Sequence, residues 1–101
     1  MTNISEAKDV SAFEKKVLQA YPQKLSEIAG YLSQDDGIQN FYNNPSKEEI
    51  ITKLNEPSLF TFDNESGGVL TYCNHEFDDV HVIDVEFGGV LEEFYEVVID
   101  G

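Results

Sequence analysis

The chain has 101 residues and a formal charge of −14, with seven Phe and five Tyr among a 41% hydrophobic content. That length supports one modest core and no independent second one, and the aromatic content excludes an acidic disordered tail. The first residues are polar and acidic and no run of 18 apolar residues occurs, so neither a secretory leader nor a membrane span is expected.

The N-terminal part, residues 1–56, reads as helical. Val10, Phe13, Val17, Tyr21, Leu25, Ile28 and Leu32 recur at three- and four-residue steps, one apolar stripe at helical period. Pro22 falls inside the stripe. A mid-helix proline removes a backbone donor and crowds the preceding turn. Either two helices meet at Tyr21–Pro22, or one helix passes through with a kink. Asp35-Asp36-Gly37 supplies turn chemistry, and Ile38 to Tyr42 is expected to form a short helical turn. Ser46-Lys47-Glu48-Glu49 has the spacing of a capping box, ahead of a helix that should bury Ile50, Ile51 and Leu54.

From residue 57 to 101 the period becomes two. Strands are expected at Leu59–Phe62, Val69–Cys73, Val80–Phe87 and Leu91–Ile99. The joining segments are short: the polar loop Asp63 to Gly68, the connection Asn74 to Asp79, and Gly88-Gly89. Helices first and strands after predict an α+β fold, with N-terminal helices on one face of a four-stranded antiparallel meander, in a single domain.

Alternation assigns Ile83, Val85 and Phe87, with Tyr95, Val97 and Ile99, to the helix-covered face. The open face is then expected to carry Val80, Val82, Asp84 and Glu86 on the third strand. On the fourth it should carry Glu92, Phe94, Glu96, Val98 and Asp100.

The charge is unevenly spread. Residues 1–60 hold all six Lys and nine acids, a net of −3; residues 61–101 hold eleven acids and no Lys or Arg, a net of −11. A nucleic-acid backbone or an anionic membrane is a poor partner for that half, because binding either needs basic side chains. What such a field attracts is a cation: a basic protein, or a divalent metal. The expected contacts are Asp78, Asp79, Asp84, Glu86, Glu92 and Glu96, with Phe94 as apolar anchor.

Other chemistries are thinly supported. The densest polar cluster, His75 and His81 with Glu76, Asp78 and Asp79, could supply metal ligands, but no recognised ligand spacing joins them. The Asp63–Gly68 loop lacks the Glu that closes a calcium loop and reads as a hairpin. The lone Cys73 is expected to lie buried in its strand and, unable to form an internal disulfide, suits the cytoplasm. No catalytic pattern or cofactor motif stands out, so the expectation is a binding module without enzymatic activity or cofactor. The alternatives are an acidic structural or regulatory subunit, and a metal-binding domain using His75 and His81.

The segments Gly68-Val69-Leu70-Thr71-Tyr72-Cys73-Asn74-His75, Asp79-Val80-His81-Val82-Ile83-Asp84-Val85-Glu86-Phe87 and Val98-Ile99-Asp100-Gly101 resemble the C-terminal part of small bacterial immunity proteins. Such proteins accompany polymorphic or contact-dependent growth-inhibition toxins. The resemblance covers the last third of the chain. It implies a cytoplasmic inhibitor that occludes the basic active site of one cognate toxin domain, typically a nuclease; the chain itself is expected to be a monomer or, through its uncovered sheet, a weak homodimer. It carries over no catalytic residue.

Overall fold

A computed structural model describes the backbone of residues 4–63 and 67–101 and the side chains of 12–62 and 67–101. Val10 of the apolar stripe and most of the Asp63–Gly68 loop lie outside the described side chains. Three helices precede four strands: α1 (Ile4–Ser33), α2 (Asp36–Tyr42), α3 (Lys47–Leu54), β1 (Leu59–Asp63), β2 (Gly67–Tyr72), β3 (Val82–Gly88) and β4 (Glu93–Asp100). The strands form one sheet in the order β1-β2-β3-β4, every neighbouring pair antiparallel. The fold is α+β, with the helices N-terminal to the meander.

α1 is one helix of 30 residues that passes through Pro22, which decides between the two readings of that position. Pro22 is exposed, so the Leu18 carbonyl that loses its partner there can turn to water. The stripe is buried as its period requires, with Phe13, Val17, Ile28 and Leu32 in the core and Tyr21 and Leu25 packed against it.

α2 starts behind Asp35, whose carboxylate accepts from the Ile38 amide at 3.0 Å. It ends at Asn43 in the left-handed region. α3 is capped by Ser46, whose hydroxyl accepts from the Glu49 amide at 3.1 Å. The Glu49 carboxylate pairs with Lys53 at 3.1 Å, so only the forward bond of the capping box is seen. Ile50 and Leu54 are buried, whereas Ile51 points outward: the helix is two turns long and only one narrow side meets α1.

The helices cover one face of the sheet. Leu70, Tyr72, Ile83, Val85 and Phe87 are buried under them, and Val97 and Ile99 are half-buried at the margin. The Tyr21 and Tyr72 hydroxyls share a hydrogen bond of 2.7 Å between α1 and β2. Burial pushes both phenols above their usual range. Phe60 and Phe62 on β1 meet α1 edge-on, through Tyr21 and Phe13.

Every strand differs from the sequence pattern at one boundary or both, and the starts of β3 and β4 move furthest, with that of β2. β3 begins at Val82, because Val80 belongs to the preceding loop and stands exposed. β4 begins at Glu93, because residues 89–92 form the turn, with Gly89 at φ +61° and Leu91 at φ +56°. Leu91 nonetheless plugs the core from that turn. Cys73 sits one residue beyond β2 and is exposed rather than buried.

Candidate functional site

The side of the sheet away from the helices carries the candidate site. Its centre is set by register. Glu86 on β3 stands directly opposite Glu96 on β4, and Asp84 stands opposite Val98. On the other side Glu86 pairs with Val69 and Asp84 with Thr71 of β2. These residues line a shallow cleft of about 230 Å³ bounded by Val69, Asp84, Glu86, Glu96 and Val98. The Thr71 hydroxyl donates to Asp84 at 2.6 Å and fixes that carboxylate. Among the described residues no helix roofs this surface: Glu86 and Glu96 are exposed, and Val98 retains 43% of its accessible area.

Three carboxylates thus share a small area floored by two valines. Residues directly opposed on antiparallel strands bring their Cβ atoms within about 5.5 Å, and like charges there repel. The two Lys–Glu ion pairs among the described residues, Lys24–Glu27 and Lys53–Glu49, are on the helices. No Lys or Arg follows Lys53 in the sequence, so β1 to β4 supply no cation of their own.

A bulge reshapes one end of the face. Pairing is one-to-one from Val82↔Asp100 to Glu86↔Glu96, then jumps to Phe87↔Phe94, leaving Tyr95 as the extra residue on β4. A bulge re-aims side chains locally, and here it exchanges two aromatics. Phe94, expected on the open face, turns to the helix side and packs on Tyr31 with ring centroids 5.5 Å apart; it is not available as an anchor there. Tyr95, expected in the core, is 57% exposed. Its ring lies over Gly88, where a Cβ would collide with it. Its hydroxyl donates to Glu93 at 2.8 Å, and that bond is the first cause holding the phenol above its usual range.

The other expected contacts are dispersed. Glu92 lies in the β3–β4 turn, not on a strand face, with one carboxylate oxygen 3.4 Å from the Val90 amide. Asp78 and Asp79 belong to the β2–β3 loop, at the opposite end of β3. Asp79 is exposed. Asp78 is occupied internally: it accepts from the Val80 amide at 3.1 Å, the His81 amide at 2.9 Å and the His81 ring at 2.8 Å. Burial acts to raise its carboxyl, but these donors outweigh it and hold the group well below the usual carboxylate range. Asp78 therefore shapes a loop rather than presenting a free charge.

The histidines are committed to that same loop. His75 is buried. Its Nδ1 accepts from the Phe77 amide at 3.2 Å, so Nε2 carries the proton and donates to the His81 carbonyl at 2.7 Å. Both ring nitrogens are spent on backbone. Among the described residues no group of three or more His, Cys, Asp and Glu side chains is disposed to hold a metal ion, and no helix is long and apolar enough to cross a membrane.

Sequence alternation therefore placed Asp84, Glu86 and Glu96 together on the open face, as found, and misassigned Phe94, Tyr95 and Glu92. Val69 and Thr71 carry no charge, so nothing in the β2 sequence marks them as part of this face. One signal for the bulge lies in the sequence: Glu93 and Glu96 are both charged, and under strict alternation two positions three apart cannot share the open face. No family model matches the chain, and comparisons with curated proteins and with solved structures found no match.

Proposed function

We propose that this chain is an immunity-type inhibitor that works by binding, without chemistry of its own. Its open sheet face docks on a basic toxin domain, in the first instance a nuclease, and fills the cleft that would otherwise hold a nucleic-acid backbone. The observation that supports the reading most is the uncovered group of Asp84, Glu86 and Glu96 over Val69 and Val98, with no cation of the chain's own sheet beside it. A purely solvated face would relieve the Glu86–Glu96 opposition with a lysine. Retaining it leaves a surface whose electrostatic strain a basic partner removes.

Complementary charge raises association rates toward roughly 10⁸–10⁹ M⁻¹s⁻¹ at low salt, which suits interception of an incoming toxin in the cytoplasm. Tight binding then needs apolar anchors at the centre; Tyr95 and Val98 are exposed in the right place.

The test is protection. The chain is co-expressed with the C-terminal domain of the protein encoded by the neighbouring reading frame, and survival is compared with that given by a variant carrying Asp84→Lys and Glu86→Lys. Wild-type protection that the folded double variant has lost is the expected result. Absence of protection, or equal protection by the folded variant, overturns the proposal.

A further inference from the structure

Among the described residues the sheet ends in two margins without a further strand, β1 and β4, and they differ in chemistry. The run Leu59-Phe60-Thr61-Phe62 on β1 is uncharged, and its two phenylalanines pack toward α1. On β4, Glu96 to Asp100 pairs one-to-one with Glu86 to Val82. This gives five regular residues, about 17 Å of strand, beyond the bulge. Among the described residues no further strand takes up their outer N–H and C=O groups.

Exposed edges invite strand addition, and proteins commonly guard them with Lys, Pro or a bulge. The regular stretch of β4 has neither Lys nor Pro. Its guards are acids. Antiparallel pairing of two copies along β4 would bring Glu93, Glu96 and Asp100 from each chain onto one seam with no cation. The same charges attract a basic strand.

We infer that the β4 margin receives an extended basic segment of the partner as a fifth strand. The inference rests on the acidic face being the partner site and specifies how the partner is held there. Backbone hydrogen bonds to the edge supply affinity, and alternate side chains supply specificity. On the open side of the new strand, three alternate residues stand beside Glu96, Val98 and Asp100. The segment that fits reads basic–x–apolar–x–basic, its outer two cations meeting Glu96 and Asp100 and its central side chain covering Val98.

The probe is the acetylated, amidated peptide Lys-Thr-Val-Thr-Lys, titrated at low ionic strength into the isotopically labelled full chain. Its control is the same peptide with every backbone amide methylated, which keeps the charge and side chains but removes the donors. Amide hydrogen exchange is read along β4. The expected result is that every second amide from Glu96 to Asp100 exchanges at least about tenfold more slowly at saturating peptide, and that the methylated peptide has no such effect. Equal binding of both peptides with unchanged β4 exchange overturns strand addition while leaving the acidic face as the docking surface. Binding of neither peptide overturns strand addition and removes support from the acidic face as well.

Discussion

Neutralising Glu96 should stabilise the fold. Glu96 stands directly opposite Glu86, and Asp84 is its diagonal neighbour across the same strand pair. Two unit charges at about 6 Å repel by about 0.7 kcal/mol in a water-like dielectric. The diagonal neighbour, at about 8 Å, adds about 0.5 kcal/mol before screening. Directly opposed like charges in sheets cost about 0.2–1 kcal/mol, so Glu96→Gln should gain about 0.5–1 kcal/mol at low salt. For a domain of this size that raises Tm by about 2–6 °C. Because Glu96 is exposed, the effect must be screened: at 0.5 M salt the Debye length falls to about 4 Å and most of the gain should vanish. The assay is thermal and urea unfolding of wild type, Glu96→Gln and the loop variant Glu76→Gln, at pH 7 and at low and high salt. A Glu96→Gln gain no larger than that of Glu76→Gln at low salt, or one that salt leaves unchanged, would refute the claim that the triad is mutually repulsive.

Asp78→Asn should destabilise by about 1–3 kcal/mol, since a charged acceptor of two backbone amides and the His81 ring is weakened. Because the folded-state carboxyl lies below its unfolded value, its contribution is complete above about pH 4 and fades as pH falls toward the folded value, so urea midpoints of wild type and variant should converge in acid. Tyr72→Phe should cost about 0.5–1.5 kcal/mol by removing the Tyr21 partner. Since both phenols are raised in the folded state, wild-type stability should fall as pH climbs past about 10, where only the unfolded chain readily ionises them, a trend measurable by denaturant unfolding at alkaline pH. Tyr95→Ala should leave the unfolding free energy within about 0.5 kcal/mol of wild type and should weaken binding of the proposed basic partner about 30-fold through a faster off-rate. Phe94→Ala should do the reverse, lowering stability because the ring packs on Tyr31; surface plasmon resonance beside thermal unfolding separates the two.

The helices and the layer order were legible because their signals are local and redundant. The α1 stripe repeats over about six turns, Ser46 announces α3, and the shift to period two after Pro57 marks the sheet. The same local reading fails where tertiary structure takes precedence. Ile51 has the right spacing for burial, but it stays exposed because no element among the described residues covers that side of α3. Cys73 lies one residue past the end of pairing, where burial of a strand residue no longer applies. Asp78 looks like one more surface acid in the sequence; only the folded loop shows its oxygens filled by the Val80 and His81 donors.

The candidate site divides along the same line. Its charge is a property of composition and could be counted, and the period of β3 put Asp84 and Glu86 on one side without ambiguity. What accompanies that charge depends on β4, where one extra residue at the bulge reverses the faces of Phe94 and Tyr95. This is the sensitivity expected of a period-two pattern, in which a one-residue slip moves every side chain to the opposite face. The slip has a consequence for recognition. With Phe94 outward, the acidic triad would adjoin a wholly apolar ring; with Tyr95 outward, it adjoins an aromatic whose hydroxyl is already bonded to Glu93. A basic partner can therefore stack a guanidinium or aliphatic stem on Tyr95 while its charge reaches Glu86 and Glu96, combining desolvation and charge pairing in one contact. The bulge is thus the element that turns an acidic sheet face into a surface with a defined apolar foothold, and its position between the turn and the regular half of β4 leaves Glu96 to Asp100 straight enough to accept another strand.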